Sequence, residues 1–127
     1  MPWLDGRSLT EILREIELAS ASWEGSSGIA GSYLGLWSDL VLPPSRHFLG
    51  EPAPGYARDD GRIPMLRCRH CGFPQCWSWV ARIEVGGAIV RWRDFGNPHR
   101  PKWKYSALGD IVFDRRQYEL ALTAARA

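Results

Sequence analysis

The chain has 127 residues, of which 45% are hydrophobic and 24% charged, and its formal net charge is +2. This length predicts a single domain over residues 1–127, and no apolar run approaches the roughly 18 residues of a membrane-spanning helix. The N-terminus has neither the basic nor the apolar region of a secretory signal. We therefore expect a cytoplasmic protein without a membrane partner, in which the three cysteines stay reduced.

The basic residues are concentrated in the middle of the chain. Residues 58–105 contain ten Arg or Lys and four acidic residues, so this part carries a charge of +6 and the remainder −4. A basic centre between acidic flanks indicates an anionic partner. The alternative is that the two regions neutralise each other within the fold.

The first predicted element is an amphipathic helix over residues 7–21. Ser8 can cap its N-terminus, and Glu11 lies at the reciprocal position of a capping box. Apolar side chains at helical spacing predict a buried stripe, which consists of Leu9, Ile12, Leu13, Ile16 and Ala19. The polar residues between them are predicted to face water: Glu11, Arg14, Glu15 and Glu17.

Short strands and one long loop follow this helix. Residues 31–37 are apolar and aromatic, which predicts a strand. Residues 43–61 are rich in proline and glycine, and long loops of this kind are typical of functional lids or disordered segments. Residues 62–67 predict another short strand, which leads into the cysteines.

The clearest structural pattern is a β-hairpin around Gly86-Gly87. Apolar and charged residues alternate before and after these glycines, so one face of the hairpin is predicted to be buried and the other charged. A two-residue glycine turn of this kind requires a positive φ. The predicted facing pairs are Val85 with Ala88, Ile83 with Val90, and Ala81 with Trp92.

The C-terminal part predicts a short strand over residues 108–113 and a final helix. Asp114 is its predicted N-cap, with Gln117 at the capping-box position, and Phe113 and Tyr118 form a hydrophobic staple. The predicted fold is α+β. A mainly antiparallel sheet of about four strands has the N- and C-terminal helices packed on one face.

Three cysteines are the first candidate functional group. Cys68, Cys71 and Cys76 could supply three thiolates to a tetrahedral zinc ion, with His99 as the fourth ligand or His70 as a local alternative. A second Cys-x2-Cys pair, the usual companion in zinc modules, is missing. The alternatives are a redox pair, Cys71 with Cys76 or Cys68 with Cys71, and three inert thiols that pack where the loop meets the hairpin.

A basic, aromatic segment is the second candidate. Its residues predict a partner-binding surface, because nucleic acids need cations for phosphates and exposed rings for stacking. The residues are Arg91, Arg93, Arg100, Lys102, Trp103 and Lys104. Burial of the tryptophans in the core is the competing interpretation.

Catalysis is the third candidate. A nucleophilic cysteine needs a neighbouring base, which His70 beside Cys71, or His99 with Asp94 or Asp110, could provide. The sequence contains no phosphate-binding glycine loop, paired-carboxylate motif or nucleophile elbow. The leading hypothesis is therefore a non-enzymatic binding or interaction module with a cysteine-based zinc site. The alternative is a zinc-stabilised nucleic-acid-binding module, and a thiol-dependent enzyme comes third.

Four short segments carry a resemblance to a known family. They are residues 71–77 (CGFPQCW), 92–95 (WRDF), 97–100 (NPHR) and 113–118 (FDRRQY). Over its C-terminal half the chain resembles a family of small uncharacterised bacterial proteins. This resemblance implies a bacterial, intracellular origin, and because the family has no established activity it implies no catalytic or binding residue.

Overall fold

The computed structural model describes residues 1–70 and 77–126. In chain order the elements are β1 (Trp3–Leu4), β2 (Arg7–Ser8), α1 (Leu9–Trp23), β3 (Tyr33–Gly35), α2 (Ser38–Val41), β4 (Ile63–Cys68), β5 (Trp79–Val85), β6 (Ile89–Gly96), β7 (Ile111–Asp114) and α3 (Arg115–Arg126). Strands β3 to β7 form one antiparallel sheet in sequence order, and β1 pairs with β2 in a small ribbon. The predicted α+β fold is confirmed, with five strands in the main sheet instead of about four.

Both long helices begin at the residues that local chemistry predicts. The Ser8 hydroxyl accepts a hydrogen bond from the backbone N–H of Glu11 at 3.2 Å. A carboxylate oxygen of Asp114 accepts one from the N–H of Gln117 at 2.9 Å. These acceptors satisfy N–H groups that have no partner inside the helix. The rings of Phe113 and Tyr118 also pack with centroids 5.0 Å apart, as the predicted staple requires.

The region after α1 differs from the prediction. The strand expected over residues 31–37 extends only over Tyr33–Gly35, and the short helix Ser38–Val41 follows it. Gly31, at a φ of +66°, packs against Arg14 and Thr10 of α1, so a Cβ at this position would lie within 3.0 Å of their atoms. The chain can approach α1 this closely only at a glycine, which starts the strand two residues later than predicted.

The long loop is attached to the sheet at Pro64 of β4. Strand β3 pairs only with the later part of β4. Pro64 therefore pairs with Val80 of β5 on one side but, among the described residues, has no strand partner on the other. Instead, the Pro64 carbonyl lies 2.7 Å from Nε2 of His47, and Nδ1 of the same ring accepts from the N–H of Ala53 at 3.0 Å. Proline has no N–H to donate, so it leaves no unpaired backbone donor at a position without a second strand partner.

The β5–β6 hairpin has the predicted faces but a different register. Val85 pairs with Val90 and Ile83 with Trp92, a shift of two residues that keeps these strand side chains on their predicted face. Val85 and Ala88, which were predicted to be buried, are exposed. The N–H of Gly86 donates to the carbonyl of Ile89 at 2.8 Å, so the turn lies at Gly87-Ala88 and not at Gly86-Gly87. The prediction of a positive φ at these glycines is wrong.

Contacts with the start of α3 explain why the turn lies at Gly87-Ala88 and not at the predicted position. The backbone N–H of Arg115 donates to the carbonyl of Ala88 at 3.0 Å, and its guanidinium donates to the carbonyl of Gly86 at 2.8 Å. Strand β6 also has an extra residue around Asp94, whose φ is 54°, which marks a β-bulge opposite β5. The bulge lies at the other end of the hairpin, so it is the two hydrogen bonds of Arg115 that oppose the local preference for a turn centred on two glycines.

A substitution at Gly87 should therefore have little effect. An added Cβ at Gly87 would have no atom within 4 Å, and the backbone there does not require a positive φ. We expect Gly87→Ala to change the free energy of unfolding by no more than about 0.5 kcal/mol, as at other exposed positions. Urea titration of both proteins would measure the difference. A loss of several kcal/mol would contradict the observed turn.

The core lies where the helices and loops pack against the main sheet. It contains apolar side chains from α1, from every strand of the main sheet and from the loops, including the buried rings of Tyr33, Trp79, Trp92 and Tyr118. Among the described residues, no helix has the length and apolar character needed to cross a bilayer.

Candidate functional site

The buried side of α1 contains a glutamate. Leu9, Leu13, Glu17 and Ala21 are all at most 1% exposed and recur every four residues. The prediction that Glu17 faces water is wrong, and the stripe passes through it. The four-residue spacing from Leu9 and Leu13 was the one local signal that position 17 is buried. A glutamate at this position predicts exposure, so the spacing was not sufficient to predict the burial.

Three hydrogen bonds from two segments of the chain converge on the Glu17 carboxylate. Oε1 accepts from the backbone N–H of Gly31 at 2.8 Å. Oε2 accepts from the hydroxyls of Tyr33 and Tyr105, each at 2.5 Å. Hydrogen bonds to a buried charge are short and strong, so Glu17 ties α1 to β3 and to the segment before β7.

The environment of Glu17 also changes its ionisation. Burial raises the pKa of the Glu17 carboxyl above its ordinary value, and the three hydrogen bonds oppose that rise. Burial and the adjacent carboxylate raise the pKa of the Tyr33 and Tyr105 phenols, so both rings keep the protons that they donate. No basic side chain contributes to these shifts, which makes Glu17 a buried acid held by neutral donors.

Asn97 extends this network to the segment after β6. Its side-chain amide donates to the Tyr33 hydroxyl at 2.9 Å, and its oxygen accepts from the N–H of His99, also at 2.9 Å. Residues 97–105, which we call the basic segment, are thus fastened at one end through Asn97 and at the other through Tyr105. Both attachments lead to Glu17.

A second glutamate holds the middle of the basic segment. Glu24 caps the C-terminus of α1, seven residues after Glu17 and therefore on the same side of the helix. Its carboxylate accepts from Nε of Arg100 and from the indole N–H of Trp103, each at 3.0 Å. Two acids of α1 thus determine the path of a segment that has no regular secondary structure.

Aromatic rings pack beneath the basic segment. Trp77 stacks between Tyr33 and His99, with centroid distances of 6.4 and 6.1 Å. Trp103 meets it edge-on at 5.8 Å, and the Arg100 guanidinium lies 5.2 Å from the centroid of the Trp77 ring. The segment therefore packs against the Trp77 ring through its own His99, Arg100 and Trp103 side chains.

The predicted metal ligands are only partly described. Cys68 is buried at the end of β4, directly opposite Tyr33, and His99 is exposed beside Trp77. Cys71 and Cys76 lie outside the described residues. Within residues 1–70 and 77–126, no three His, Cys, Asp or Glu side chains are grouped closely enough to hold a metal ion. The zinc site on four ligands stays a prediction.

The predicted partner-binding residues separate into two groups. Arg100, Lys102, Trp103 and Lys104 lie together in the basic segment. Arg91 and Arg93 lie on β6, where their guanidinium groups are 3.9 and 3.5 Å from Glu84 across the hairpin. The six residues predicted to bind a partner therefore belong to two parts of the fold, strand β6 and the basic segment.

Side chains of the basic segment alternate between the core and the solvent. Trp103 and Tyr105 are 8% and 6% exposed and point to the glutamates of α1. Lys102 and Lys104 are exposed. In the part of the chain that the structure describes, no carboxylate lies within 4.0 Å of either ammonium group.

A separate groove lies between β1, α2, β7 and α3. Its volume is about 710 Å³, and its lining is mainly apolar, including Trp3, Val41, Phe48 and Leu122. On its floor the Tyr118 hydroxyl donates to the carbonyl of Phe48 at 2.6 Å. Among the residues that the structure describes, none of the predicted site residues lines this groove.

Comparison with known proteins identifies no relative. No family model matches the chain, and neither a curated protein nor a solved structure is significantly similar to it. The resemblance to a bacterial family stays a prediction from four short segments.

Proposed function

We propose that the chain is a non-enzymatic binding module that contacts a polyanionic partner through the exposed side of the basic segment. The observation that carries this proposal is the alternation at residues 102–105. Trp103 and Tyr105 are hydrogen-bonded to Glu24 and Glu17, and Lys102 and Lys104, each of which precedes one of these aromatic residues, are exposed.

Anchoring favours binding because it removes part of the entropy cost. A flexible basic loop loses backbone and side-chain freedom when it binds. Here the backbone path is set in advance by attachments at Asn97, Arg100, Trp103 and Tyr105. The lysine stems keep their freedom, but the fold fixes the backbone positions from which they extend.

The charge pattern supports an anionic partner. Arg100 forms an ion pair with Glu24 at 3.0 Å, so its charge is compensated within the fold. Lys102 and Lys104 have no such acid among the described residues, so their potential acts on the solvent. Exposed uncompensated charge raises the rate of encounter with partners of opposite sign.

The same geometry argues against catalysis at the buried acid. Glu17 is 1% exposed and accepts three hydrogen bonds, so no substrate can reach it. The predicted zinc ion remains compatible with a binding role. His99 belongs to the basic segment, and a metal on Cys68, Cys71, Cys76 and His99 would fasten that segment once more.

Chemical modification of lysine tests the proposal, because the chain contains only two lysines, Lys102 and Lys104, among 16 basic residues. Acetylation removes the charge of both side chains, whereas reductive dimethylation keeps it. Fluorescence anisotropy would follow binding to three labelled probes: a short DNA single strand, its duplex and polyglutamate. We expect binding at low ionic strength, retained after dimethylation and lost after acetylation.

The salt dependence provides a quantitative check. If each lysine contacts one phosphate of a single strand, acetylation should reduce the slope of log affinity against log salt by about 1.4, since each contact contributes about 0.7. The control is the double variant Arg91→Ala/Arg93→Ala, which removes two positive charges from β6, as acetylation does from the two lysines. Acetylation and dimethylation both also react with the Met1 amine, and only acetylation removes its charge. An equal loss in that variant, an equal loss after both modifications, or no binding to any probe would refute the proposal.

A further inference from the structure

We infer that the partner is a single-stranded nucleic acid and that Trp23 is the residue on which one of its bases stacks. This inference rests on the proposed function, because it assigns the chemistry of the partner that the basic segment contacts. It adds a residue from α1 to the surface formed by Lys102 and Lys104.

Trp23 is an exposed indole beside the basic segment. It is the last residue of α1 and is 92% exposed, which is the greatest exposure among the described large apolar side chains. The next residue, Glu24, binds Arg100 and Trp103 of the basic segment. The helix end therefore places the indole and the two lysines at the same end of the molecule.

Other exposed tryptophans have different surroundings. The Arg67 guanidinium lies 4.0 Å from the centroid of the Trp37 ring and covers one of its faces. Trp3 lines the apolar groove near α3. No ring or guanidinium contact involves Trp23 in the described part of the chain. Its two faces are available to a planar group.

An exposed ring next to cations is the arrangement that binds unpaired bases. Proteins hold single strands by combining phosphate contacts with stacking of successive bases on aromatic side chains. In a duplex the bases cover one another and offer no free face. Two lysines alone give a weak, strongly salt-dependent interaction, so stacking on Trp23 would supply the part of the affinity that salt does not weaken.

The test compares a DNA single strand with an abasic strand of equal length. Both strands carry the same phosphates, but only the first has bases. We expect Trp23→Ala to lower affinity for the normal strand by about tenfold, as the loss of one stacking contact does. The abasic strand should bind both proteins equally, and the salt slope should not change because an indole carries no charge.

Two variants serve as controls. Trp23→Phe keeps an aromatic face and should retain most of the affinity, and Trp3→Ala removes an exposed tryptophan far from the basic segment. Thermal melting of each variant would establish that folding is unchanged, as the exposure of Trp23 predicts.

The outcomes separate this inference from the proposed function. If acetylation weakens binding but Trp23→Ala does not, the basic segment is a binding surface and the stacking role is wrong. Tighter binding of duplex or polyglutamate than of the single strand would also overturn the inference. If none of the probes binds, both the inference and the proposed function fail.

Discussion

Replacement of Glu17 with alanine is expected to lower the free energy of unfolding by about 3–5 kcal/mol. The change leaves the N–H of Gly31 and the hydroxyls of Tyr33 and Tyr105 without their acceptor in the core. Each buried polar group that loses its partner costs about 1–3 kcal/mol, and partial relaxation reduces the sum. Urea unfolding monitored by circular dichroism would measure the loss.

Glu15→Ala is the matched control. Glu15 belongs to the same helix but its side chain is 68% exposed, with a surface ion pair to Arg7. We expect its removal to change the free energy of unfolding by no more than about 0.5 kcal/mol. Equal effects of Glu17→Ala and Glu15→Ala would show that the buried network does not stabilise the fold.

The ionisation of Glu17 predicts a pH dependence with a defined sign. Burial raises the folded-state pKa above the ordinary value of 4.5, so the folded protein binds the proton more tightly than the unfolded chain. The stability that this group contributes is therefore present below about pH 4.5 and is lost as the pH rises through the folded pKa. Glu17→Gln should remove this contribution, which urea titrations across pH would detect.

Replacement of His47 with alanine is expected to cost about 2–4 kcal/mol. His47 is fully buried, and its ring links two backbone groups, the N–H of Ala53 and the carbonyl of Pro64. Because Nδ1 accepts, Nε2 must carry the proton, so the ring is neutral. Alanine leaves both backbone groups unpaired and opens a cavity beneath the loop. Thermal and urea unfolding would measure the effect.

His70→Ala provides the comparison for His47. His70 is exposed, and its Nε2 lies 3.5 Å from the Ser32 hydroxyl, at the limit of hydrogen bonding. We expect a change of no more than about 0.5 kcal/mol. A loss at His47 as small as this would mean that the loop is not held by its histidine.

The pH dependence at His47 has the opposite sign to that at Glu17. Burial lowers the pKa of His47 below 6.5, so the unfolded chain binds the proton more tightly than the folded protein. Stability from this group is fully present above about pH 6.5 and is lost as the pH falls through the folded pKa. Because the two contributions oppose each other in mildly acidic solution, single variants are needed to separate them.

Local patterns predicted most of the regular structure. Ser8 and Asp114 begin their helices where the capping chemistry requires, and the alternation in residues 79–92 assigns the buried face of the hairpin. In the candidate site, sequence identified Arg100, Lys102, Trp103 and Lys104 as neighbours because they are adjacent in the chain. It did not identify Glu17 or Glu24, which lie about 80 residues earlier.

The sequence by itself determined the features that depend on a few neighbouring residues: helix caps, strand alternation and the composition of the basic segment. Tertiary structure decided the register of the hairpin, through the contacts of Arg115 with Gly86 and Ala88. It also decided the burial of Glu17, because a polar side chain is stable in the core only where donors meet it. Those donors come from Tyr33 and Tyr105, at separations of 16 and 88 residues, which no local pattern spans.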